Sequence, residues 1–229
     1  MPRALKQVLY GLSYLILFSG IAWVFVAPRF VEVATCTDGV QNQNETGIDC
    51  GGLCENCELK DLRLEVGERQ ILEVGERSSV LVKVKNPSKN FGALKVPYQF
   101  QITGLLGESI EVIEGELNIY ENEEKYIAVV GLDMKANNIG EATFDLGDFK
   151  FVSKEDLLAY NTEIENVQTS FPEEMVEARG FILNDSGSPL SEVILTALFY
   201  NKEGDLVNVG TTLLSNLEAF EKRDFLISV

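Results

Sequence analysis

Four cysteines, Cys36, Cys50, Cys54 and Cys57, fall within 22 residues, CTDGVQNQNETGIDCGGLCENC. Thiols this close either oxidise to disulfides or, as thiolates, hold a zinc ion. Zinc ribbons use two CxxC pairs across a longer loop, and here only Cys54 and Cys57 have that form, so the spacing favours two disulfides. Three pairings are open, and the sequence does not choose among them. Between the first two cysteines lie Asp38, Asn42, Asn44, Glu45 and Asp49, with Gly39 and Gly47 to allow tight turns. Hard oxygen ligands at that spacing suit calcium, which makes it the candidate cofactor. The alternative is a solvated acidic turn, in which Asn and Gly simply permit left-handed backbone.

Other chemistry is scarce. With no histidine in the chain, imidazole triads, imidazole general bases and the common His-containing metal sites are excluded. There is no Gly-x-Ser-x-Gly elbow, phosphate-cradling glycine loop or Cys/His couple. Adjacent carboxylates occur at Glu123/Glu124 and Glu173/Glu174, whereas acid/base catalysis needs two carboxyls about 5–10 Å apart. Among 36 acids such neighbours arise by chance, and adjacent side chains on a strand face opposite ways. The chain therefore reads as no enzyme, with no catalytic residue and no small-molecule substrate evident. Beyond residue 35, 16 basic side chains stand against 35 acidic ones. So negative a surface repels phosphate backbones and excludes nucleic acid as a partner.

An apolar run precedes the cysteines. Residues 8–27, VLYGLSYLILFSGIAWVFVA, hold 20 positions without a charge, and a helix of that length spans about 30 Å of hydrocarbon. Arg3 and Lys6 precede it while Arg29 and then Glu32 follow. The positive-inside bias places residues 1–7 in the cytoplasm, residues 8–28 through the lipid bilayer as a single-pass transmembrane helix, and the rest outside the cell membrane. A cleaved signal peptide competes, but its apolar stretch is about 7–15 residues and ends in small residues; this run meets Pro28-Arg29-Phe30. Gly11, Ser13, Ser19, Gly20 and Ala22 are small enough to admit another membrane helix.

Past the cysteine module, residues 36–58, apolar and polar residues alternate in short runs broken by Gly, Asn and Pro, the period-two signature of half-buried strands. Val80, Val82 and Val84 oppose Lys83 and Lys85, and Tyr98, Phe100 and Ile102 oppose Gln99 and Gln101. Runs at 117–120, 126–132, 142–146 and 149–152 bring residues 59–153 to seven or eight strands, which suits an immunoglobulin-like sandwich. LEVGER at 64–69 and again at 72–77 reads as two strand edges joined by turns. Ser153-Lys154-Glu155-Asp156 fits a capping box, so a helical turn is expected in a linker over 154–161. A second sandwich is expected over 162–229, with strands at 163–169, 175–183, 192–200, 205–214 and 219–229. Val193, Leu195, Ala197 and Phe199 share one face there, and Gly204 takes positive φ in a polar hairpin loop. Val229 falls within the last strand pattern. Asn44-Glu45-Thr46 and Asn184-Asp185-Ser186 are glycosylation sequons.

Two resemblances add to this reading. The cysteine segment resembles a module, C-x-[DN]-G-x-x-N-x-x-E-T-G-x-D-C-G-G-x-C-x-x-C, that recurs beside β-sandwiches in secreted and surface proteins; Cys36, Asp38, Gly39, Asn42, Glu45, Thr46, Gly47, Asp49, Cys50, Gly51, Gly52, Cys54 and Cys57 match it. That likeness implies an extracytoplasmic location and no reaction. NDSGSPLSEV, ALFYNKEGDLVNVGTTLL and LEAFEKRDFLI resemble the small prokaryotic β-sandwich domain FxLYD, with Ala197, Phe199 and Asn201 departing from its motif. Proteins of that family are surface or envelope modules. The expectation is thus an all-β chain: two Ig-like antiparallel sandwiches after one transmembrane helix and a small disulfide-rich module. It would be a non-catalytic structural or interaction protein of the cell envelope, whose partner is another envelope protein. One alternative is a calcium-stabilised adhesion or binding protein; a second is a membrane-anchored hydrolase of envelope polymers.

Overall fold

A computed structural model describes residues 2–26, 35–42, 44–158, 160–171 and 175–229. The chain divides into two compact units, Met1–Asp61 and Leu62–Val229. In the first, α1 (Arg3–Val26) starts ahead of the apolar run, because Arg3 and Lys6 are good helix formers that extend it. Its segment Leu5–Val26 is long and apolar enough to cross a membrane, and none of its hydropathic window is buried. Pro28, Arg29, Phe30 and Glu32 lie outside the described residues. After the cysteine module a short helix, α2 (Cys57–Asp61), begins where Asn56 Oδ1 accepts the Glu58 N–H at 2.9 Å.

The second unit is built of antiparallel sheets. Its first sandwich sets β1 (Glu65–Val66), β2 (Gln70–Val74), β3 (Arg77–Lys85) and β6 (Glu124–Leu132) against β4 (Phe91–Gly104), β5 (Ser109–Ile119), β7 (Ile139–Leu146) and β8 (Phe151–Ser153). In one sheet β3 is central, with β1 and β2 along one side and β6 along the other; in the facing sheet β4 is central, with β5 on one side and β7 and β8 on the other. The alternation read from the sequence points Val80, Val82, Val84, Val96, Phe100, Ile102, Ile119 and Phe144 into one core. Each large side chain so buried contributes about 2–3 kcal/mol before entropy is counted. Phe100 and Phe144 pack with ring centroids 4.7 Å apart.

The second sandwich is smaller. β9 (Thr162–Ser170), β10 (Glu177–Asn184) and β13 (Lys222–Ser228) form a three-stranded sheet, and β11 (Leu190–Tyr200) pairs with β12 (Leu206–Leu217) in a two-stranded one. Ala178, Ile182, Leu217, Phe225 and Ile227 form the core between them, joined by Val193, Leu195, Ala197 and Phe199. Asn201 N–H donates to the Asp205 carbonyl at 2.9 Å, closing the hairpin loop in which Gly204 has φ +91°.

The two sandwiches stack. On β3, Leu81 points away from Val80 and Val82, yet it is only 2% exposed. The β11–β12 hairpin covers it, since β12 lies against β2, β3 and β6, and β11 against β6. Register places Leu198 and Val209 opposite each other on the hairpin face that turns away from Ala197 and Phe199; Val209 is fully buried there. Thr196 Oγ1 donates to the Tyr126 carbonyl at 3.5 Å across this seam. Four sheets therefore lie in sequence, with the hairpin as an inner layer that is apolar on both faces.

The sandwiches also repeat one another. β10, β11, β12 and β13 pair as β3, β4, β5 and β6 do, and equivalent positions stand 98 apart, as Asn86 and Asn184 do. Both asparagines are fully buried. Asn86 Nδ2 donates to the carbonyls of Phe91 at 2.7 Å and Tyr120 at 2.8 Å; Asn184 Nδ2 donates to those of Ser188 and Glu218, each at 2.9 Å. Each Oδ1 accepts the N–H two residues on, from Ser88 and from Ser186, at 3.1 Å in both. The edge strand repeats too: β1 and β2 are separated at Gly67, Glu68 and Arg69, and β9 carries its irregularity at Asn166, φ +54°.

Three local expectations change. Ser153 makes no side-chain cap, and Lys154–Asp156 is a single 3₁₀ turn, because Ser153 is held in β8. The first LEVGER supplies β1 and the second ends β2, turns at Gly75 (φ +62°) and starts β3, so the two copies play different parts. Asn184 is a buried hydrogen-bond hub, and as such its sequon presents no accessible acceptor.

Candidate functional sites

The cysteine module closes through two interlaced disulfides, Cys36–Cys54 and Cys50–Cys57. Its pattern follows from what each residue bonds. Gly51 (φ +79°) and Gly52 (φ +63°) take left-handed backbone, and a Cβ on either would collide with Thr46 or with the Asn44 carbonyl. Thr46 Oγ1 lies 3.3 Å from the Cys57 sulfur, to which it donates because the sulfur carries no proton. Glu45, 8% exposed, receives the N–H groups of Asn42 at 3.1 Å and Asp49 at 3.2 Å on Oε2. Its Oε1 lies 3.2 Å from Cys54 Sγ, again a disulfide sulfur with nothing to donate.

The five oxygen residues expected to hold calcium are spread over different duties. Asp38 receives Thr35 N–H at 3.0 Å, Val40 N–H at 2.9 Å and Asn42 Nδ2 at 3.1 Å. The first of these bonds, then the other two, hold its carboxyl below the ordinary carboxylate range. Asp49 receives Gly39 N–H at 3.0 Å on each oxygen. Asn44 contributes left-handed backbone, φ 69°. Among the described residues, the cluster of ligand-type atoms within 4.8 Å is Cys36, Glu45 and Cys54, and two of those atoms are joined to each other as a disulfide. The carboxylates of Asp38, Glu45 and Asp49 thus accept backbone N–H groups and fix the turns that carry them.

The acidic pairs sort similarly. Glu123 Oε2 accepts the Tyr120 N–H at 2.7 Å, whereas Glu124 reaches Lys83 at 3.4 Å and Lys85 at 3.5 Å. These lysines, by hydrogen bond and charge, hold Glu124 below its usual range. Glu173 and Glu174 lie outside the described residues. A groove between β5 and β6 is lined by Ile110, Glu111, Val130, Gly131, Leu132, Asp133 and Met134; Asp133 there is paired with the Arg77 guanidinium at 2.9 Å, with both side chains exposed. At the β4–β5 turn Leu106 is 95% exposed, and Glu108 Oε2 accepts its backbone N–H at 3.1 Å.

β5 carries Glu111, Glu114 and Glu116, and β9 carries Glu163 and Glu165, charges that discourage strand addition at those edges. β11 is different: residues 193–200, VILTALFY, hold no charge. Sequence reading missed the role of Asn86 and Asn184; the signal was Asn-x-Ser at the end of a strand, repeated with a glutamate 37 positions on, Glu123 and Glu221. No family model matches the chain, and no curated protein matches it.

Proposed function

We propose that the chain is a single-pass membrane protein whose cysteine module and sandwiches stand outside the membrane as a non-catalytic structural or interaction module of the cell envelope. The observation that carries this reading is α1: its large apolar side chains are exposed, Trp23 at 73% and Phe25 at 72% most of all, and none of its apolar window is buried among the described residues. A helix of such composition is stable in lipid, where its backbone is internally bonded and its side chains need no water. Arg3 and Lys6 at its start support a cytoplasmic N-terminus. Two disulfides in so small a module suit an oxidising exterior. The likeness to FxLYD domains and to surface cysteine modules belongs to the same reading, with another envelope protein as partner.

The test is labelling in intact cells. Leu106→Cys places a thiol at an exposed hairpin tip, and a membrane-impermeant maleimide should modify it before lysis while the four native cysteines stay unreactive. The mature protein should also retain residues 1–26 by mass. Labelling only after lysis defeats the topology, and loss of the N-terminal segment replaces an anchor with a cleaved signal.

A further inference from the structure

Three Asn-x-Ser/Thr triplets occur in the chain, at Asn44, Asn86 and Asn184. Such a triplet accepts an N-linked glycan where the middle residue is not proline and the asparagine stands at the surface. Asn86-Pro87-Ser88 fails on both counts and Asn184-Asp185-Ser186 on the second, because each asparagine is fully buried with its amide committed to backbone carbonyls. Asn44-Glu45-Thr46 meets both conditions. Asn44 is exposed, and among the described residues no hydrogen bond engages its side-chain amide. Glu45, in the middle, is buried and accepts the N–H groups of Asn42 and Asp49, while Asn44 and Thr46 on either side of it, the two residues that a glycosylating enzyme reads, are both exposed.

We propose that Asn44 is an N-glycosylation site, modified before the cysteine module closes. The donor is an oligosaccharide carried on a polyprenyl phosphate. Asn44 Nδ2 bonds to C1 of the first sugar as the C1–O bond to phosphate breaks; the phosphate leaves with that electron pair, and the amide proton passes to a base of the transferase. The order of events follows from the closed module. There Thr46 Oγ1 donates to the Cys57 sulfur at 3.3 Å, and the Thr46 N–H donates to the Cys50 carbonyl at 3.1 Å. Asn44 is held in left-handed backbone, φ 69°, with its carbonyl against Gly52. In the open chain both residues are free to extend into an enzyme. Asn44 also precedes Cys50, Cys54 and Cys57, so it emerges before either disulfide has both of its partners. Once attached, the glycan displaces no bond of the closed module, since the amide it uses makes none among the described residues. Transfer depends on the topology proposed above, because transferase and donor act outside the cytoplasm.

The full chain is translated into endoplasmic-reticulum microsomes, which supply transferase and donor. Wild type should gain a glycan that peptide N-glycosidase removes, leaving an aspartate where Asn44 stood, and Asn44→Gln and Thr46→Ala should gain none. Because transfer precedes closure, a variant that folds poorly still reports. The order is read on unmodified full chain in detergent, offered to purified transferase with a polyprenyl-phosphate-linked oligosaccharide: the reduced chain should be modified and the disulfide-bonded chain should not. Leu106→Cys in the same microsomes separates the site from the topology. An unmodified Asn44 with that thiol shielded in the lumen overturns the site alone, whereas an unmodified Asn44 with that thiol open to an impermeant maleimide outside overturns topology and site together. Equal modification of reduced and disulfide-bonded chain overturns the order, and a glycan on Asn184 in place of Asn44 overturns the assignment.

Discussion

Glu123 and Glu221, 98 positions apart, each place Oε2 on the backbone N–H of the residue three before, Tyr120 and Glu218, at 2.7 Å in both cases. Their own carbonyls receive the N–H of Asn86 and Asn184, each at 2.9 Å. One turn, with its asparagine plug, is thus built twice, and the residue just before the glutamate has left-handed backbone in both, Asn122 at φ 52° and Phe220 at φ 60°.

Removing the plug should be costly. Asn184→Ala leaves the Ser188, Leu217 and Glu218 carbonyls without their side-chain donor in a site closed to water, and the expected loss is about 2–4 kcal/mol. Asn86→Ala should lose a similar amount. Urea unfolding midpoints at constant slope check both. Asn184 should also carry no glycan when the chain is made in a glycosylating host, as intact mass will show.

The seam between sandwiches should be cooperative. Leu81→Ala removes a buried side chain from it, at an expected cost of about 2–5 kcal/mol. Leu81→Asp should go further and split a single thermal transition into two, because a buried charge has no partner there. Calorimetry reads the number of transitions, and a single unshifted one would contradict the stacking.

Calcium should leave the cysteine module unmoved. Asp38, Glu45 and Asp49 already receive backbone N–H groups, so a cation gains little by displacing them. Thermal melting with chelator and with millimolar calcium should coincide, whereas a ligand that bound only the folded state would raise the midpoint. Asp49→Ala should loosen the Gly39 turn with or without calcium.

Stability should fall at both ends of the pH range for opposite reasons. Burial first, then the neighbouring Tyr160, Glu123 and Glu121, push Tyr120 up from 10.0 to about 12. Its proton is held more tightly in the folded state, so this contribution is intact below pH 10 and is lost as pH rises toward 12. Glu121, through Lys154, and Glu221, through the Glu218 N–H and then Arg223, sit below the ordinary 4.5. Their contribution is intact above that value and is lost as pH falls below it. Melting temperature against pH measures both slopes, and Tyr120→Phe should flatten the alkaline one.

The strands were legible because half-buried sheets write their faces into the sequence: Val80, Val82 and Val84 against Lys83 and Lys85 needed only the pleat. The seam was not, since Leu81 breaks that alternation and a single apolar residue on a polar face does not say what covers it. Nor does spacing distinguish a carboxylate that holds an ion from one that caps a turn; the duties of Asp38 and Asp49 depend on where Thr35, Val40 and Gly39 direct their N–H groups. The disulfide pairing depends likewise on left-handed backbone at Gly51 and Gly52. The structural repeat is hidden in the sequence because its shared residues, Asn-x-Ser and one distant glutamate, lie in turns, while the strands between them share a pattern and differ in their letters.

A ribbon of two strands is barely stable in water by itself. The β11–β12 hairpin finds one side of its shelter in the core of its own sandwich and the other in a surface made by residues nearly a hundred positions earlier. Synthesis delivers that earlier surface first, so the first sandwich serves as a mould on which the second sets. Mutations that unfold the early half should leave the late half without a shape to keep.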